Sequence, residues 1–82
     1  MIRIIDVARE GGWIIYTIEF DDDEGQLHHI PVRFRAYRFP PEEEYLRDRI
    51  VKAVERTRAE LVMSKAMKFV GLELEPVESE TA

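Results

Sequence analysis

Between Pro41 and Gly71 the chain has neither glycine nor proline, and no other stretch constrains its fold as strongly. The run opens on Pro41-Glu42-Glu43-Glu44 and predicts a helix from about Pro41 to Val70. A proline at the first helical position forfeits nothing, because that N–H has no intrahelical partner. The glutamates beside it complement the positive end of the helix dipole. Gly71 can take the left-handed conformation that stops a helix. Such a helix would be about 45 Å long at the usual rise. Strands of about 8 residues span only about 27 Å. The last turns, roughly Glu60 to Val70, are therefore expected to overhang any layer of such strands.

Three strand-like segments precede the helix. Met1 to Ala8 carries apolar residues in both parities, Ile2 and Ile4 against Ile5 and Val7, which calls for a bulge or for burial on both faces. Glu10-Gly11-Gly12 reads as a tight hairpin turn. Trp13 to Phe20 is the strongest strand. Its Ile14, Tyr16, Ile18 and Phe20 are expected in the core, with Trp13, Ile15, Thr17 and Glu19 on the other face. A polar loop, Asp21 to Gln26, leads into a third strand from Leu27 to about Arg38. There Ile30, Val32, Phe34 and Ala36 would point inward and Pro31, Arg33, Arg35 and Tyr37 outward. Pro31 lacks a donor and so suggests an edge strand or a bulge. Phe39-Pro40-Pro41 makes a rigid corner into the helix.

On the helix, Leu46, Ile50, Ala53, Val54, Thr57 and Leu61 recur at three- and four-residue spacing and define one face for the sheet. The expectation is an α+β fold: a three-stranded antiparallel meander packed on one long C-terminal helix. Leu72-Glu73-Leu74-Glu75 alternates and offers a short fourth strand. Residues 1–75 then form one domain, and 76–82 read as a disordered acidic tail. The plan resembles that of many small uncharacterised proteins of phages, prophages and archaea. That resemblance covers the whole chain, rests on no motif and implies no function.

Composition narrows the class. The chain has 82 residues, 45% hydrophobic and 35% charged, which describes a globular domain near the lower size limit for a self-sufficient core. Cysteine is absent, which excludes disulfides and thiolate zinc sites. No apolar run approaches a membrane span, and Asp6 and Glu10 interrupt any leader-like segment. The expected setting is the cytoplasm, or a host cell if the chain is virus-encoded. Asparagine is absent too and Gln26 is the single glutamine, a thermophile-like pattern beside so much charge. A net charge of −5 argues against a protein that simply coats nucleic acid.

Nothing in the chain reads as a reaction centre. His28 and His29 are adjacent in a strand and must point to opposite faces, so they cannot share an ion. An EF-hand counted from Asp21 would need glycine sixth and glutamate twelfth; Gln26 and Val32 stand there. No glycine-rich phosphate loop or hydrolase signature occurs. An enzyme is the third choice, with no cofactor or metal expected. The second choice is a nucleic-acid-binding or regulatory module, on an outer sheet face built from Trp13, Arg33, Arg35 and Tyr37. Its bland counterpart is cation–π packing on a solvated face, or pairing with Glu19.

The first choice is a non-enzymatic interaction protein. Leu61, Val62, Met63, Met67, Phe69 and Val70 lie where the strands are not expected to reach, so they predict a homo-oligomer, most simply a dimer, or a docking site for another protein. The alternative is a helix broken near Thr57 to Glu60, with a second helix folding back over the open sheet face.

Overall fold

The computed structural model describes residues 1–75. Its order is β1 (Ile2–Glu10), β2 (Trp13–Asp21), β3 (Leu27–Arg35), a 3₁₀ turn (Ala36–Arg38) and α1 (Glu43–Met67). The strands pair antiparallel in the order β1-β2-β3, and the helix packs on one face of this open sheet. The α+β meander expected from periodicity is therefore present. The tail expected at 76–82 lies outside the described residues.

Local chemistry explains each junction. Glu10 pairs with Trp13, leaving Gly11-Gly12 as a two-residue turn, and Gly11 takes a φ of 57° that a side chain would resist. The mixed parity of β1 is resolved by a bulge: the register shifts between Ile4 and Asp6. Ile2, Ile4 and Val7 can then all stand on the inner face, opposite Phe20, Ile18 and Tyr16. Pro31 sits in β3, an edge strand, where a missing donor costs no central ladder bond.

β3 ends at Arg35, earlier than alternation suggests. The Ala36 N–H donates to the Gly12 carbonyl at 2.8 Å, and the Phe39 N–H donates to the Ala36 carbonyl at 3.2 Å. The first bond is the last rung between β2 and β3 and the second turns the chain, so Tyr37 is not a strand residue as expected but part of the 3₁₀ turn.

The core is Ile18, Phe20, Val32, Phe34, Ile50 and Val54, all buried, with Leu46, Ala53 and Leu61 of the helix packed around them. It joins α1 to β3 and to the adjoining half of β2. The β1 side of the same face is left open, with Ile4 and Val7 exposed.

The helix is unbroken through Thr57 to Glu60, and no second helix folds back among the described residues. Thr57 Oγ1 donates to the Ala53 carbonyl at 2.9 Å, so its hydroxyl is satisfied without a break. After Met67 the chain tightens into turns, with Gly71 at φ 88°. Leu72 to Glu75 joins no strand, so the fourth strand does not form.

Two ties pin the helix to the β2–β3 loop. Arg58 donates to the Asp21 carbonyl at 3.0 Å and to its carboxylate at 3.1 Å, and Lys65 reaches Glu24 at 2.8 Å. These ties carry the contact further along the helix than strand length alone implied. Leu61, which helical spacing put on the sheet face and strand length put beyond it, is partly buried against the core.

The loop itself is organised by Asp22. One carboxylate oxygen accepts from the backbone N–H groups of Glu24 and Gln26 at 2.8 and 2.9 Å, and the other lies 2.7 Å from His28 Nε2. The bond to His28 foremost, then those to the loop backbone, lower this carboxyl from its ordinary 3.8 to about 2. A depressed carboxyl pKa adds stability that is present above the unfolded value and lost as pH falls through the folded one. Stability should therefore decline between about pH 4 and pH 2. Asp22→Asn keeps an acceptor oxygen for the loop but loses the charge. Its melting temperature should fall below wild type at pH 6 and converge with it near pH 2. Parallel curves across that range, followed by circular dichroism, would remove Asp22 from this role.

Candidate functional site

The outer sheet face carries part of the arrangement expected from sequence. Trp13 and Arg35 are paired across β2 and β3, and the Arg35 guanidinium lies 3.9 Å from the indole centroid. Arg33 stands on the same face, opposite Ile15. Tyr37 does not join them: it is 75% exposed on the 3₁₀ turn, with the Arg38 guanidinium 5.4 Å from its ring.

Glu19 is not the partner of these arginines. It is buried between Arg3, whose Nε donates to it at 2.8 Å, and His29, whose Nε2 lies 3.0 Å away. Those bonds, His29 first and Arg3 second, hold the Glu19 carboxyl below its ordinary range. His28 and His29 thus serve two separate carboxylates on opposite faces. Among the described residues no three His, Cys, Asp or Glu gather in a way that could hold a metal ion.

The clearest concavity lies beside this face, at the corner where the chain enters the helix. A cleft of about 290 Å³ is lined by Trp13, Phe34, Arg35, Arg38, Pro41, Tyr45 and Arg49. The turn supplies Arg38, the Pro41 corner closes one side, and the first turns of α1 add Tyr45 and Arg49 at i, i+4 spacing. Arg49 stacks on Phe34 at 4.6 Å, and Phe34 meets Tyr45 edge-on at 6.5 Å. Three guanidiniums line the cleft and, among the described residues, no carboxylate does. Among the described residues none of the three forms an ion pair.

Arg38 closes the Arg33–Arg38 stretch that the sequence offers for nucleic acid, whereas Tyr45 and Arg49 are not singled out from sequence. The i, i+4 Tyr–Arg pair just after a proline corner was the available signal. It becomes meaningful only once the corner brings it to Trp13.

The second surface is the helix end. Val62, Met63, Met67, Phe69 and Val70 are all exposed, as are Leu72 and Leu74 beyond them. Met63 and Met67 line a shallow apolar depression with Arg56, Ala59, Glu60 and Ser64. No helix among the described residues is long and apolar enough to cross a membrane. No protein-family model matches the chain, and neither a curated protein nor a solved structure matches it significantly.

Proposed function

We propose that this is a non-enzymatic assembly protein that pairs with a second copy of itself through the apolar end of α1. One observation carries the reading. Val62, Met63, Met67, Phe69 and Val70, crowded into nine residues at the end of the helix, are half to four-fifths exposed and left uncovered by the chain's own sheet. Exposed patches of this kind on a small domain mark contact sites.

The magnitudes are compatible with a dimer. Fully burying a large apolar side chain is worth roughly 1.5–3 kcal/mol. For Val62, Met63, Met67, Phe69 and Val70, already partly covered, that gives roughly 5–9 kcal/mol per copy and about twice that for a two-fold pair. Association costs on the order of 4–15 kcal/mol. The open β1 half of the inner sheet face, with Ile4 and Val7, offers further apolar area on the same molecule. Methionines at the centre of the patch allow it to adapt to its partner.

Light scattering at micromolar concentration should give about twice the 9.7 kDa chain mass. Met63→Asp combined with Met67→Asp should return the chain mass while leaving the far-ultraviolet circular dichroism unchanged, because neither side chain belongs to the core. A wild-type chain that is monomeric at these concentrations ends this reading.

A further inference from the structure

We propose that the arginine–aromatic cleft at the β3–α1 corner binds single-stranded nucleic acid, one nucleotide unit of it in the cleft. This stands independently of self-association, since no residue of the cleft belongs to the helix-end patch. Arg35, Arg38 and Arg49 converge from a strand, a turn and a helix on one concavity without a carboxylate in its lining among the described residues. Guanidiniums present planar forks that match phosphate oxygens, and three of them on one cleft exceed what packing requires.

The aromatic rings separate nucleic acid from other anions. Each arginine of the cleft is laid against an aromatic ring: Arg35 on Trp13, Arg38 near Tyr37, Arg49 on Phe34. That stacking fixes the guanidinium planes and leaves them as platforms of their own. Tyr45, more than half exposed, adds a free aromatic face in the same lining. A base can stack on such a surface while its phosphate meets the arginines; an acidic peptide would use the charges and leave the rings idle.

Size and net charge set the scale. A volume of about 290 Å³ sits at the lower end of small-ligand sites. It suits one nucleotide rather than a duplex groove. Arg33, next along the outer face, can meet the adjoining phosphate. The overall charge of −5 opposes a polyanion at long range. Binding should therefore be local, modest and steeply dependent on salt.

Trp13 is the only tryptophan and lines the cleft, so the protein carries its own reporter. The full chain is titrated with a short deoxythymidine oligonucleotide at low salt, following tryptophan fluorescence. Saturable quenching is expected, with a log–log salt slope near about −1.4 for about two phosphates, one in the cleft and one on Arg33. Arg38→Gln and Arg49→Gln should each weaken binding roughly tenfold, as expected for a lost charge-assisted bond, and flatten the slope. Arg38 is exposed and outside the core, so its variant remains informative if the Arg49 variant folds poorly. Absence of saturable binding overturns the proposal, as does binding that neither substitution weakens. Inorganic phosphate binding as tightly as the oligonucleotide would remove the base from it. Equal displacement by poly-glutamate would reassign the cleft to acidic peptides.

Discussion

Phe20→Ala should cost roughly 3–5 kcal/mol and leave the domain largely unfolded at moderate temperature. Phe20 is fully buried at the end of β2. Its ring stacks with His28 at 5.5 Å, and the Arg58 guanidinium lies 5.6 Å from its centroid. Removing it opens a cavity where the sheet, the acidic loop and the helix meet, so three elements lose their common support. A domain of this size has a total stability of roughly 4–12 kcal/mol, of which the loss is a large share. Val51→Ala is the control: the side chain is exposed on the helix, outside the core and outside both proposed contact surfaces, and the change should stay within about 0.5 kcal/mol. Urea unfolding at one fixed protein concentration checks both, because pairing would make apparent stability concentration-dependent. Equal effects of the two substitutions would show that the buried cluster is not where the fold is held.

The layout was legible in the sequence because two periods are written plainly. Trp13 to Phe20 alternates, and Ile50, Val54 and Leu61 repeat at helical spacing, so strand and helix are each set by local pattern. The bulge in β1 was one of the two readings that its mixed parity allowed, since Ile4 and Val7 cannot share a face of a regular strand. Boundaries were less so. Ala36, Tyr37 and Arg38 continue the alternation of β3, but their partner strand runs out at the Gly11-Gly12 turn, and the Phe39 N–H bonds to the Ala36 carbonyl to close a turn instead. Spacing along the chain contains no trace of that bond.

The same limit applies to the sites. Trp13 and Arg35 could be paired by parity alone. Arg38, Tyr45 and Arg49 reach them only through the geometry of the corner, which residue types do not specify. At the other end, counting strand lengths started the apolar overhang at Leu61; it starts at Val62, because Leu61 packs on the core as its helical spacing implies. Arg58 and Lys65 have long side chains and tie that part of the helix to Asp21 and Glu24.

That shift divides residues which the sequence had grouped together, and Leu61→Asp tests the division. Leu61 packs on the core, whereas Met67, 64% exposed, does not. Leu61 also sits between Arg58, three residues before it, and Lys65, four after, so all three share one side of the helix. A carboxylate introduced there is partly desolvated and loses the apolar contact. It can draw Arg58 from Asp21 or Lys65 from Glu24, but each such gain breaks a tie to the loop. The net loss should be about 2–4 kcal/mol, between that of an exposed and a fully buried site. For a domain of this length that lowers the melting temperature by roughly 10–25 °C. Met67→Asp should barely change the melting temperature of the unpaired chain and should act on mass instead. Melting curves and light scattering on the two single variants separate these effects. If Leu61→Asp melted like wild type yet scattered as a monomer, Leu61 would belong to the contact between copies and not to the core.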